Sequence, residues 1–364
     1  MSIIPNLSDV NLTISYLVQE LARIQSSIDT VNSQITTKQN DINNTQNTIQ
    51  TLQNSINQLT TQITQYANNY TYWRDEYNRI INLITTYNAE VTTQSSNYSN
   101  SRTALVNAGR NDVPSDIAAS DIATRLINLK STILNEYNSV PYTANTGSTG
   151  TEYNLPDETS SVRDYMGSQY YYVVDFPSSG RSWPATLRLH VKLLGAASFT
   201  NVDSHTVQNR NHSVAMFNGT AKPQAEKLAQ YKYVDDVLET YYELYKAAQN
   251  NAAQQYGPRD TARVNRDSAK SQLDIAYALN DQKQVEMTSL QSQQTLLAQQ
   301  KADLENLKSI KTNLQNLYNE VQTILNNLKN NIVTHGQVTT QIESLLSQFA
   351  ILEQQVAALI QVVE

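Results

Sequence analysis

The chain has 364 residues, of which 33 are acidic and 26 are basic, so its formal net charge is -7. Charged residues make up 16% of the chain, below the roughly 25% of an ordinary soluble domain, and cysteine is absent. These values exclude disulfides and cysteine-based zinc sites, and the scattered basic residues argue against nucleic-acid binding. No apolar run reaches the roughly 18 residues of a membrane span, and residues 1–10 lack the pattern of a standard signal peptide.

Apolar and aromatic residues recur every seven positions from Ile14 to Val91. Such a sustained repeat of 3.5 residues predicts one long coiled-coil helix over residues 8–108. Residues 42–73 contain no charge, so interhelical ion pairs cannot set the register there. The predicted core of this helix consists of Ile28, Ile35, Ile42, Ile49, Ile56, Ile63 and Trp73.

Gly109 and Pro114 end this helix, and a shorter helix is predicted within residues 110–138, with Ser115 as its N-cap. A second short helix is predicted within residues 222–257. The pair Gly257 and Pro258 would end it before a long C-terminal helix over residues 258–364.

Residues 139–221, between the two short helices, have the composition of a small β-rich domain. Apolar and polar residues alternate strictly over residues 185–192, which predicts a half-exposed strand. Tyr170, Tyr172, Val174 and Phe176 would share one face of another strand. Residues 198–202 and 207–217 give weaker strand signals, and residues 144–150 suggest a flexible loop.

The C-terminal third repeats the heptad pattern, with a predicted core of Leu307, Leu314, Val321, Leu328 and Leu345. Gly336 is expected to bend or break this helix. The long terminal helices have similar predicted lengths, which favours an antiparallel hairpin in which facing residue numbers add to about 369. Lys38 would then face Asn331, and Tyr70, Trp73 and Tyr77 would face residues 290–300. A parallel homo-oligomer stays open as the alternative.

The chemistry-bearing residues form no recognisable catalytic or metal-binding motif. His190, His205 and His212 lack the spacing of metal ligands, and we expect them to be solvated or hydrogen-bonded at the surface. Phosphate-binding and nucleophile motifs are also missing. We therefore expect a protein without enzymatic activity, metal or cofactor.

The β-rich insert offers the best candidate for an interaction surface. Tyrosine and tryptophan are common at interfaces, and basic residues suit an acidic partner. Arg181, Lys192 and Arg210 add basic surface to the insert. The candidate interaction residues are Tyr170, Tyr171, Tyr172, Trp183 and Arg188.

Periodicity and composition together predict a mainly α fold. It is a long antiparallel coiled-coil hairpin or helical bundle, with a small antiparallel β-domain inserted between its helices. We expect a structural component of a virion or extracellular assembly, such as a minor capsid protein, fibre or spike. Its partners would be proteins, through self-association or other assembly subunits, and not nucleic acid.

In outline, the layout is similar to two other classes of protein. Flagellin-like filament subunits have paired terminal helices around a variable insert, and some α-helical pore-forming toxins carry a β-tongue between long helices. Asp175, Arg188 and Lys192 interrupt the best tongue candidate here, which argues against membrane insertion. An adhesin whose insert binds a receptor is a further alternative.

Overall fold

A computed structural model describes residues 9–144, 161–177, 182–330 and 333–361, except for the side chains of residues 335, 336, 360 and 361. Long helices dominate these residues, and a small antiparallel sheet lies between them in the chain. The predicted fold class, paired long helices with an inserted β-domain, is confirmed. The chain divides into two compact units, Met1–Tyr72 with Asp267–Glu364 (unit 1) and Trp73–Arg266 (unit 2).

The helices differ from the predicted ones mainly in where they end. The predicted break at Gly257 and Pro258 is wrong, because α5 runs through both residues. Both are exposed, so water can hydrogen-bond the carbonyl that Pro258 leaves free, while Ala252 and Ala262 on either side are buried. The helices are α1 (Val10–Asn107), α2 (Ile122–Asn138), α3 (Arg210–Met216), α4 (Lys222–Tyr233), α5 (Glu239–Lys329) and α6 (His335–Gln361).

Two further expectations about helix boundaries are wrong. Ser115 does not cap the second helix, since α2 begins at Ile122 after a turn, with Asp121 at the N-cap position. The weak strand predicted over residues 207–217 is helical from Arg210, where Asn209 accepts a hydrogen bond from the His212 N–H and caps α3. Helices α3, α4 and α5 follow one another through π-helical segments at Phe217–Ala221 and Val234–Leu238.

In unit 1, α1 and α5 pair in antiparallel fashion. Lys38 Nζ lies 3.4 Å from Asp303 Oδ2, and Asn69 Nδ2 donates to Gln272 Oε1 over 2.9 Å. The residue numbers of both pairs add to 341, so the predicted register, in which Lys38 faces Asn331, is wrong by 28 residues, or four heptads. Asn331 itself lies outside the described residues.

The register error follows from the C-terminal helix, which is two helices. α5 ends at Lys329 and α6 begins at His335, so α6 packs back against α1 and α5. Counting α6 as a continuation of α5 makes the paired helices look equal in length. One apolar core joins the three helices, which we call the three-helix end, with members that include Leu17, Ile24, Leu314, Val321, Ile342 and Phe349.

Burial of the predicted coiled-coil core depends on whether α6 is present. At the three-helix end, Ile28, Leu307, Leu314, Val321, Leu328 and Leu345 are buried, and Ile35 is partly buried. Farther along, residues 42–72 of α1 pair with residues 267–300 of α5, which we call the two-helix stretch. Ile42 is buried there, whereas Ile49, Ile56 and Ile63 are only half-buried.

In unit 2, the expected contact of Trp73 and Tyr77 with residues 290–300 is wrong. Both aromatic side chains pack beside Ile80, Ile84 and the small Ala262, and the Arg266 guanidinium lies 4.4 Å from the centre of the Tyr77 ring. The larger core of unit 2 joins the end of α1 to α2, to the π-helical segment Val234–Leu238 and to the start of α5. Its members include Tyr98, Leu105, Leu126, Ile133, Leu238 and Tyr245.

The sheet is a four-stranded antiparallel meander in the order β1-β2-β3-β4. A two-residue turn joins β1 to β2, and its Met166 and Gly167 both have positive φ, as a type I′ hairpin requires. The strands are β1 (Arg163–Tyr165), β2 (Ser168–Asp175), β3 (Ala185–Lys192) and β4 (Thr200–Val207).

Candidate functional site

The sheet has one covered and one uncovered face, and the alternation of its strands decides which residues lie on each. In the β2–β3 register, Tyr172 faces Leu189 and Tyr170 faces Val191, and all four side chains are buried. They pack against the helical segment that follows the sheet, which contributes Met216, Phe217, Ala221 and Ala225. The alternate residues of β2 and β3 therefore form the outer face.

An aromatic cluster lies on this outer face. Tyr171 and His190 are directly opposite each other on β2 and β3, and their rings stack with centroids 4.9 Å apart and an interplanar angle of 7°. Phe199 meets the Tyr171 ring edge-on at 4.8 Å. All three side chains are half-buried, so part of each ring stays accessible. We call Tyr171, His190 and Phe199 the outer aromatic cluster.

Charged and polar side chains surround this cluster in a balanced way. Arg188 Nε lies 2.5 Å from Asp175 Oδ2, which neutralises both groups at one end of the face. At the other end, Gln169 Nε2 donates to Asp164 Oδ1 over 2.9 Å, and Lys192 is the cross-strand neighbour of Gln169. The outer face thus combines an apolar centre with a polar rim, as protein interfaces commonly do.

The edge strand β4 is protected against pairing with another strand. The Tyr142 hydroxyl donates to the Thr206 carbonyl over 3.0 Å, and Asp203 Oδ1 accepts from the Ser204 N–H over 2.8 Å. The pairing of β3 with β4 also shifts register between Leu189 and His190. Covered backbone groups and irregular register both disfavour the addition of another strand at β4.

His212 fixes the chain that leads into the insert. It is buried, contrary to the expectation of a surface position, and its Nδ1 accepts the Gln208 N–H over 3.1 Å. Its Nε2 lies 2.9 Å from the Thr143 carbonyl oxygen. Because one neighbour only donates and the other only accepts, the hydrogen sits on Nε2 of a neutral ring. This histidine is thus a structural anchor.

Thr220 and Gly219 complete the anchor. The Thr220 hydroxyl donates to the Pro141 carbonyl over 2.8 Å and accepts the Thr143 N–H over 3.0 Å. Gly219 is required because a Cβ at that position would collide with the Thr143 side chain. Residues 141–143 are therefore held against α3 and the π-helical segment Phe217–Ala221, next to β4.

The structure separates the five residues predicted to form an interaction surface. Tyr171 and Arg188 lie on the outer face, whereas Tyr170 and Tyr172 are buried on the inner face, where burial raises the pKa of both hydroxyls. Trp183 is half-buried, with its ring edge-on to Phe176 at 5.0 Å.

Sequence reasoning missed His190 and Phe199 as surface aromatics. The alternation of residues 185–192 held the signal for His190, because it placed that residue outward, but nothing marked its contact with Tyr171. Arg181 and residues 145–150, also considered in the sequence, lie outside the described residues.

Two other features, a metal site and a membrane-spanning helix, find no support in the described part of the chain. There, no group of three or more His, Asp or Glu side chains is arranged to hold a metal ion. His205 Nε2 lies 2.6 Å from Asp203 Oδ2, and no third His, Asp or Glu of the described residues completes a metal site with them. Each helix, as far as it is described, falls short of the length and apolarity needed to cross a bilayer. No protein-family model matches the chain, and no curated protein has a significantly similar sequence.

Proposed function

We propose that this chain is a non-enzymatic structural component of an assembly, and that the outer face of its sheet is a contact surface for another protein subunit. The observation that carries the proposal is the outer aromatic cluster, which lies on a face with a polar rim, next to a protected edge. Such a face offers shape and apolar contact without any group positioned for chemistry.

Two properties of the whole chain support an assembly role. Most described residues are in long helices, and the insert lies between these helices in the chain. The sequence contains no cysteine and few charges, which suits material that persists in a particle or outside a cell. We therefore propose a virion or extracellular assembly as its location, with a minor capsid protein, fibre or spike as the most suitable role.

Fractionation of the native source tests this role directly. Purified particles or filaments should contain the protein in a fixed ratio to their main subunit. Recovery only as a free protein, never in particles or filaments, would rule the proposal out.

A matched pair of variants tests the surface. Tyr171→Ser should reduce incorporation into the assembly at least about tenfold, since an aromatic hot spot commonly contributes 2 kcal/mol or more to an interface. Tyr256→Ser removes an exposed tyrosine from α5 and should leave incorporation unchanged. Circular dichroism should show equal helix content in both. Equal incorporation of the two variants would show that the outer face of the sheet is not the contact surface.

A leakage assay separates this proposal from the pore-forming alternative. Asp175, Arg188 and Lys192 all point to the outer face, where insertion into a membrane would bury their charges at high cost. Purified protein should release no dye from liposomes at neutral pH. Robust release would favour the toxin interpretation.

A further inference from the structure

The apolar repeat of α5 continues into α6 without a change of phase, although a turn separates the two helices. Ile342 lies 14 residues after Leu328, and Val338 lies 21 residues after Leu317, so both intervals are whole heptads. All four side chains are buried in the core of the three-helix end. The same two rows also hold other buried residues, namely Leu314, Val321, Leu345, Phe349, Leu352 and Val356.

A hairpin of two helices does not require this agreement in phase. After a turn, α6 runs back along α5, and its apolar side can face the core whatever the number of residues in the turn. One straight helix, by contrast, presents a single seam along its length only if the heptad phase is kept. The pattern of α5 and α6 therefore suits two arrangements, the observed hairpin and a continuous helix.

The contacts described at the start of α6 hold the hairpin through local backbone groups. The Gln337 N–H donates to the Thr334 carbonyl over 3.0 Å, and Gln337 Oε1 accepts the Thr334 N–H over 2.8 Å. These are the two reciprocal bonds of a helix cap. In a continuous helix, the same N–H groups would bond to carbonyls of the preceding turn. Straightening would therefore exchange a cap for ordinary helical hydrogen bonds.

We propose that α6 exchanges between two copies of this chain. In the exchanged dimer, α5 and α6 form one continuous helix, and α6 packs on α1 and α5 of the second copy. The directions agree, because α6 is antiparallel to α5 within one chain and would be antiparallel to α5 of the copy in the dimer. A two-fold axis at the straightened turn relates the two copies, as closed dimers usually require.

The exchange keeps the contacts of the three-helix end. Phe349 would meet the same apolar core, and the Arg23 guanidinium, 5.2 Å from the centre of the Phe349 ring, would make its contacts between copies. The buried apolar area is therefore nearly equal in the two states. The balance then depends on the turn and on protein concentration, so the dimer should become more populated as concentration rises.

The segment next to the two-fold axis is suited to meeting its own copy. Between Lys329 and Glu343 the sequence contains no Asp, Glu, Lys or Arg. Bringing two copies of this segment together therefore opposes no formal charges of like sign and buries none.

This inference goes beyond the proposed sheet contact, because it uses residues of the three-helix end alone. Tyr171→Ser should leave dimer formation unchanged, and the variants below leave the sheet untouched. Failure of one proposal is therefore distinguishable from failure of the other.

Refolding of the full-length chain from urea at a series of concentrations tests the dimer, since α6 must detach before it can exchange. Size-exclusion chromatography with light scattering should show a dimer fraction that rises with the refolding concentration. His335→Pro should lower the association constant at least about a hundredfold. α6 begins at this position, where proline is tolerated, but in a continuous helix the proline would lie in the interior and break it.

His335→Ala is the matched control, because it removes the same side chain and alanine favours a helix in either state. It should form at least as much dimer as the wild type. Circular dichroism should show equal helix content for the monomers of both variants. A wild type that stays monomeric at every refolding concentration, or equal dimer formation by the proline and alanine variants, would overturn the proposal.

Chemical cross-linking shows whether α6 is exchanged within the dimer, and the absence of native cysteine leaves only the introduced thiols. Arg23→Cys with Glu353→Cys replaces a pair that lies 3.1 Å apart between α1 and α6. A short bismaleimide should link these thiols within one chain in the isolated monomer and between two chains in the isolated dimer. Asn69→Cys with Gln272→Cys, between α1 and α5, should link within one chain in both fractions. A dimer of the first variant that gives only intrachain links would contradict the exchange.

Discussion

The three-helix end and the two-helix stretch of unit 1 are built from the same heptad repeat but bury it to different extents. Leu21 and Ile28 of α1 are 7% and 3% exposed where α6 is present. Ile49, Ile56 and Ile63 occupy equivalent seam positions farther along the same helix and are only half-buried. A heptad repeat thus identifies which side of a helix is covered, while the number of helices that cover it depends on the rest of the fold.

The difference also leaves large apolar side chains exposed in the two-helix stretch. At the three-helix end, α6 supplies the additional apolar contact from within the chain. The two-helix stretch has no such helix among the described residues, and it carries the exposed Ile275, Val285 and Leu296. If matched truncations lowered the free energy of unfolding equally in both regions, α6 would not account for the difference in burial. A larger loss at the three-helix end would support that role of α6.

The largest expected effect comes from a matched pair of leucine truncations. Leu314→Ala, at a fully buried position of the three-helix end, should lower the free energy of unfolding by about 3 to 4 kcal/mol. Leu52→Ala, at a half-buried position of the two-helix stretch, should lower it by about 1 to 2 kcal/mol, because less surface is lost from contact. Urea unfolding measures both. Equal losses would mean that α6 does not deepen the core.

A smaller effect is expected at the boundary between the two regions, where Lys38 pairs with Asp303. Their side chains are 13% and 15% exposed, and Gln299 Nε2 also donates to Asp303 Oδ1 over 2.8 Å. Asp303→Ala should cost about 2 kcal/mol, because it leaves a largely buried ammonium group without its partner. Replacing both residues, as Lys38→Met with Asp303→Leu, should recover most of the loss. If the double variant is as unstable as the single one, the pairing of Lys38 with Asp303 is refuted.

The smallest effect is expected from the ion pair between α1 and α6. Arg23 lies 3.1 Å from Glu353, and these side chains are 48% and 38% exposed. Glu353→Ala should therefore cost only about 0.5 kcal/mol, and the loss should disappear in high salt.

Phe349→Ala, which truncates a buried ring in α6, should cost at least about 3 kcal/mol. Thermal unfolding at two salt concentrations distinguishes these contributions. A larger loss for Glu353→Ala than for Phe349→Ala would show that α6 is held by charge and not by apolar contact.

The sequence predicted the paired helices and the best strand because their periodicity is local. It could not predict the register of α1 on α5, since isoleucine recurs at every seventh position from Ile28 to Ile63 and a slip of whole heptads keeps the pattern. The observed shift of four heptads is an error of this kind. Only specific pairs such as Asn69 with Gln272 fix the register, and a periodic pattern does not contain that information.

The outer face of the sheet could be predicted only in part, because strand alternation is a local pattern and the packing of a helix on the sheet is not. Alternation along β2 separates Tyr171 from Tyr170 and Tyr172, so the sequence alone already indicated that one face would be buried. Which face remained open depended on the helix that begins at Arg210, in a segment with weak strand signals. Phe199 lies in the loop before β4 and contacts Tyr171 of β2, and no local sequence pattern indicates this contact.

An intrachain cross-link tests the antiparallel register of α1 on α5 most directly. The chain with Asn69→Cys and Gln272→Cys should form a disulfide within one molecule under mild oxidation, since these side chains hydrogen-bond at 2.9 Å. The chain with Asn69→Cys and Gln300→Cys, which matches the register predicted from equal helix lengths, should stay reduced. An intrachain disulfide in the second variant but not in the first would contradict the register and the three-helix end that explains it.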